Sequence, residues 1–161
     1  MRTKGSLAIR AVLMTGFLFG SSVAIAAEKI LDFQLVIKLT DSRAIEAPNV
    51  PNQMITQSKA FGVAIFKDGR IAVKDFVVVA DLNKGVGSEY GYSTYTFDDG
   101  STITAYFTAE LKANQPLHGE YKILSGTGTY AGATGTGTID GVPHQFKGAN
   151  LLNIKLKVMT P

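Results

Sequence analysis

The 161-residue sequence has no cysteine, no tryptophan, five prolines and two histidines. Without cysteine there can be no disulfide, no thiolate nucleophile and no thiolate metal centre, so any folded domain must rest on its hydrophobic core. Without tryptophan the chain lacks the flat platform on which many sugars stack. His118 and His144 stand near turn-like segments with no carboxylate at ligand spacing, so neither a metal nor another cofactor is expected. No Gly-X-Ser-X-Gly elbow is present to expose a nucleophilic serine. The net charge of +3 resides in Arg2, Lys4 and Arg10, and the sequence from residue 27 onward is balanced. That balance excludes a basic surface for nucleic acid, and no basic amphipathic helix suggests a membrane surface. After about residue 27 there is also no segment with helical periodicity.

What is present begins with a leader. "MRTKGSLAIRAVLMTGFLFGSSVAIAA" combines a basic start, an apolar stretch from Ala11 to Phe19 and small residues at Ala24 and Ala26. This is the pattern of a secretory signal peptide over 1–26, and its apolar stretch is short for a bilayer span. The expectation is a periplasmic or secreted product with no membrane association after cleavage. The sequence from 27 to 161 suits one domain with a sizeable core.

That domain reads as strands. In "LDFQLVIKLT", Leu31, Phe33, Leu35, Ile37 and Leu39 share one face, and "NLLNIKLKVM" alternates in the same way near the C-terminus. Two hairpins carry an Asp-Gly turn signal, at Asp68-Gly69 and Asp99-Gly100. Residues 46–57, with two prolines and no periodicity, read as a surface loop. The stretch "ILSGTGTYAGATGTGTIDG" is not a phosphate loop, since no Gly-Lys-Ser/Thr follows its glycines, and it lacks a dinucleotide fingerprint in a βαβ setting. It reads instead as a strand, a tight single-turn connection with Tyr130 packed inward, and a second strand bent at Gly135 and Gly137. The total of about eight short strands points to an all-β barrel or sandwich.

Gly126, Gly128, Tyr130, Gly132, Ala133 and Gly135 in that stretch, with the hairpin "YTFDDGSTITAYF" over 95–107, resemble the segment shared by allene oxide cyclases and dirigent proteins. Ser125 departs from the pattern, because many members carry a glycine there. The resemblance implies an eight-stranded antiparallel β-barrel, often trimeric, with a ligand pocket in its lumen. It does not imply a particular reaction.

Register then suggests which residues face such a lumen. A two-residue loop at Asp68-Gly69 pairs Lys67 with Arg70 and puts Asp75 beside Gly62 among Ala, Val, Ile and Phe. The opposite face, with Phe61, Val63, Ile65, Phe76 and Val78, is also apolar, which favours a homo-oligomer. A two-residue loop at Asp99-Gly100 sets Glu89 directly opposite Glu110, a pair able to raise one carboxyl pKa. It also puts Tyr95 and Tyr106 on that same face, where their hydroxyls could orient a ligand. The candidate ligand-binding residues are therefore Asp75, Tyr95, Tyr106, Glu89 and Glu110. The expected function is binding of a small hydrophobic molecule in the lumen, with cyclase or isomerase chemistry as its enzymatic form. The alternative is a non-catalytic structural or interaction protein whose barrel is filled by side chains.

Overall fold

The computed structural model describes residues 27–161, and the leader assigned to 1–26 lies outside the described residues. Eight strands follow one another: β1 (Ala27–Glu46), β2 (Gln53–Phe66), β3 (Ile71–Asn83), β4 (Val86–Phe97), β5 (Thr102–Leu111), β6 (His118–Thr127), β7 (Thr134–Gly141) and β8 (Asn150–Thr160). Each pairs antiparallel with its sequence neighbour, and β8 pairs with β1 to close the barrel. Closure removes the sheet edge along β1 as far as Ile37, opposite Asn150, and beyond that point β1 is paired only with β2.

Alternation is the physical cause of the inside and the outside. Along β1, Leu31, Phe33 and Leu35 are buried while Asp32, Gln34 and Val36 are exposed. Along β8, Leu152, Ile154, Leu156 and Val158 point into the same core. Past Leu39 the alternation of β1 fades. Backbone pairing with β2, joined by a 2.8 Å hydrogen bond between the Ser42 and Ser58 hydroxyls, carries it to Glu46, opposite Met54. Residues 53–57, expected as loop, are therefore strand, and only 47–52 form the connection.

The 123–141 stretch folds as its sequence suggests. β6 runs into a single 3-10 turn, Gly128–Tyr130, with Tyr130 buried, and β7 follows. Gly135 sits so close to β8 that an added Cβ would lie 2.0 Å from the Lys157 carbonyl oxygen.

Both Asp-Gly hairpins differ from the two-residue expectation, and in the same way. The Phe66 amide donates to the Arg70 carbonyl at 3.0 Å and the Gly69 amide to the Phe66 carbonyl at 3.0 Å. The loop is thus Lys67, Asp68 and Gly69. The Phe97 amide likewise donates to Ser101 at 2.9 Å, which makes Asp98, Asp99 and Gly100 the second loop. Gly69 (φ 85°) and Gly100 (φ 78°) supply the left-handed residue of a three-residue hairpin. The aspartates brace it from within. Asp68 accepts from the Arg70 amide and guanidinium, and Asp99 from the Ser101 amide.

One extra loop residue shifts each pairing by one and turns the strand over. Gly62 faces Lys74, and Phe61 faces Asp75. Glu89 faces Ala109, and Glu110 faces Ser88. Phe76, expected with the outer set, is buried inside.

Candidate functional site

The two ends of the lumen differ. At the end carrying the β2–β3 and β4–β5 hairpins and the 3-10 turn, aromatic rings fill the barrel. Phe33 packs on Phe66 with centroids 4.7 Å apart, and Phe97 on Tyr130 at 4.7 Å. Tyr95 meets Phe33 edge-on at 5.5 Å. The other end is open. A cavity of about 690 Å³ enters between the β5–β6 and β7–β8 connections. Its walls are mostly apolar, including Ile37, Val78, Leu82, Leu111 and Leu152, and its rim carries Asn114, Gln115 and His144.

The floor holds the chemistry. Lys74, from β3, is 2% exposed and lines the cavity. Gly62 opposite it has no side chain to compete for the space. Its Nζ donates to the Tyr121 hydroxyl of β6 at 2.7 Å, and the Tyr121 and Tyr95 hydroxyls are 3.0 Å apart. Four rings surround the amine: Phe76 at 4.2 Å, Phe107 at 5.1 Å, Tyr121 at 5.2 Å and Tyr95 at 5.3 Å from centroid to Nζ. Such faces favour an ammonium. Burial opposes it more strongly and brings the Lys74 pKa down to about 7, with Glu89 pulling the other way. Glu89, from β4, lines the same cavity, and burial raises its pKa while Lys74 partly offsets that. Burial also raises the Tyr95 and Tyr121 phenols. The Ser93 hydroxyl, on the inward face of β4 between Glu89 and Tyr95, is buried without a hydrogen-bond partner.

The five sequence candidates separate. Tyr95 and Glu89 are inward and belong to this site. Asp75 is exposed on the outer face, a correction that follows from the three-residue hairpin. Tyr106 also faces outward, half-buried beside Tyr92 at a centroid distance of 5.2 Å. Glu110 is exposed and paired with Lys112 at 2.7 Å, which holds its carboxyl below the usual range, so the expected Glu89–Glu110 pair does not exist. Sequence reasoning missed Lys74 and Tyr121. The available signal for the first was two ionisable neighbours, Lys74-Asp75, inside an apolar strand. Alternation forces one of them inward.

No protein-family model matches the chain. No curated protein matches it in sequence. Solved structures do match in shape. The pterocarpan synthase dirigent protein GePTS1 superposes with a TM-score of 0.59 at 16% identity, over 91% of this chain and 98% of that one. A second, PsPTS1, gives 0.57 at 15% identity, over 82% and 94%. A pyocyanin demethylase gives 0.51 at 16% identity, over 80% and 99%. With its closed eight-stranded meander and the Gly126 to Gly135 turn, this chain has the dirigent-like, allene oxide cyclase-like barrel fold.

Proposed function

We propose that this protein is an exported homo-oligomer that binds a small hydrophobic molecule in the open half of its lumen. The observation that carries the reading is the cavity of about 690 Å³ with apolar walls and a polar floor of Lys74, Tyr121 and Glu89. Ligand sites commonly have this volume and this ratio of apolar wall to convergent polar groups. Two proteins of similar fold, a pterocarpan synthase and a pyocyanin demethylase, are named for small molecules, which supports the same reading. Any turnover would be of the cyclase or isomerase type, in which the walls fold a reactive ligand and the floor groups move protons. The export half of the proposal rests on the 1–26 leader pattern.

The test is uptake of N-phenyl-1-naphthylamine, an uncharged dye that brightens in apolar surroundings. The wild type should bind it saturably, and Ala80→Trp, which fills the cavity from its wall, should weaken binding by about tenfold or more, the scale of ~1.4 kcal/mol. Absence of saturable uptake by a folded wild type would overturn the reading and favour the side-chain-filled barrel.

A second reading has one observation of its own. The outer face of β2–β4 is apolar, with Phe61 41%, Val77 43% and Tyr92 53% exposed, whereas β6–β8 present Glu120, Lys122, Lys155 and Lys157. That one-sided surface suits an interaction role, and self-association is its simplest form.

A further inference from the structure

We propose that Lys74 forms a Schiff base with a hydrophobic ligand that carries an aldehyde or ketone. The inference rests on the reading of the lumen as a small-molecule site and names the chemical class that site would take.

The geometry distinguishes Lys74 from a structural lysine. A buried lysine kept for stability ordinarily meets a carboxylate. Among the described residues the Lys74 ammonium forms no ion pair, and its one side-chain hydrogen bond goes to a phenol. The side chain crosses the lumen at the level where the aromatic packing stops and the cavity begins, so its nitrogen stands at the end of a one-way apolar passage. A desolvated amine in such a place is a nucleophile rather than a charge. Burial supplies the amine form, since with a pKa of about 7 a large share of Lys74 is unprotonated at neutral pH, whereas a solvated lysine is almost wholly ammonium.

The neighbours suit the steps. The amine lone pair attacks the carbonyl carbon, the C–N bond forms, and the carbonyl π pair moves to oxygen, which takes a proton to give a carbinolamine. The nitrogen then loses a proton, the hydroxyl is protonated and leaves as water, and the C=N bond forms. No oxidant or reductant is needed, and hydrolysis reverses the sequence. Two proton transfers to oxygen and two from nitrogen, the second of which turns the iminium into the neutral Schiff base, require an acid and a base within the lumen. Tyr121, in contact with Nζ and relayed to Tyr95, is one such group. Glu89, whose carboxyl pKa is raised by burial, is the other. The titratable groups facing Lys74 are thus Glu89 and Tyr95 from β4 and Tyr121 from β6, with His144 at the rim.

Trapping with trans-cinnamaldehyde, an apolar aldehyde, and sodium cyanoborohydride tests this. Intact mass and peptide mapping should show one reduced adduct on Lys74, formed faster as pH rises through about 7. Lys74→Met and Lys74→Arg should each abolish it, with folding of both variants checked by circular dichroism. Cinnamyl alcohol should compete with the naphthylamine dye yet leave no adduct. If adducts fall only on surface lysines while dye uptake is normal, the Schiff-base proposal fails and the pocket stands. If neither dye nor adduct is found at the lumen, both fail.

Discussion

Lys74 imposes an electrostatic cost on the folded state that pH can remove. Its pKa falls from the ordinary 10.5 unfolded to about 7 folded, so between those values the unfolded chain binds more protons. Stability therefore rises with pH across that window and is lowest below about 7, where the ammonium is buried. Lys74→Met should accordingly raise the denaturant midpoint at pH 6 and flatten the rise between pH 7 and 10, by an amount on the order of a few kcal/mol. A variant less stable than wild type at pH 6 would show that the Tyr121 bond and the aromatic cage outweigh desolvation. Glu89 contributes in the opposite direction. Its folded pKa is raised, so the stability it lends is present below 4.5 and is lost as pH rises through the folded value. Glu89→Gln isolates that part. Asp75, in contrast, is exposed, and Asp75→Asn should change stability by less than about 0.5 kcal/mol and leave dye binding unaltered. The sequence made the need for an ionisable group in this strand legible, but Lys74 and Asp75 are adjacent. Only register could choose between them, and register was not written in either residue.

The hairpins decide that register. Their Asp-Gly signals were legible, as were all eight strands and the single turn around Tyr130. What failed was the count of loop residues, because Asp-Gly suits both a two-residue turn and a three-residue turn with glycine last. The Asp99 carboxylate illustrates the preference for the longer form. It accepts from the Ser101 amide at 2.9 Å and from the Thr129 hydroxyl at 3.0 Å, tying the β4–β5 loop to the 3-10 turn. Those bonds hold its pKa below the usual range, led by the Ser101 hydroxyl, so the support is present at neutral pH and is lost on acidification. At Gly100 an added Cβ would touch nothing within 4 Å, so the only penalty for Gly100→Ala is the left-handed backbone, about 1–2 kcal/mol. Gly100→Asn should lose less, because asparagine tolerates that conformation. Equal losses in thermal denaturation would mean that side-chain bulk, not backbone, governs the site.

At the scale of the whole molecule the barrel is mostly apolar inside and, over β2–β4, mostly apolar outside as well. Sedimentation at micromolar concentration should show a homo-oligomer, and a trimer is the form expected from the family resemblance. Phe61→Asp, on the outer row beside Asp75, should dissociate it while the barrel's melting transition survives. A monomeric wild type would remove the need for the apolar face to be covered by a second copy. N-terminal sequencing of the exported product should begin near Ala27, and Met1 on a cytoplasmic product would defeat the export proposal. The closure of β1 on β8 has a spatial consequence of its own. Ala27 pairs with Thr160 at the aromatic-filled end of the barrel, whereas the cavity opens at the far end. Both chain termini of the domain thus leave from one pole, and the entrance occupies the other. Whatever is joined at either terminus, whether a tether, a tag or a neighbouring domain, holds the molecule with its mouth turned away from the attachment and free to meet the surrounding solution.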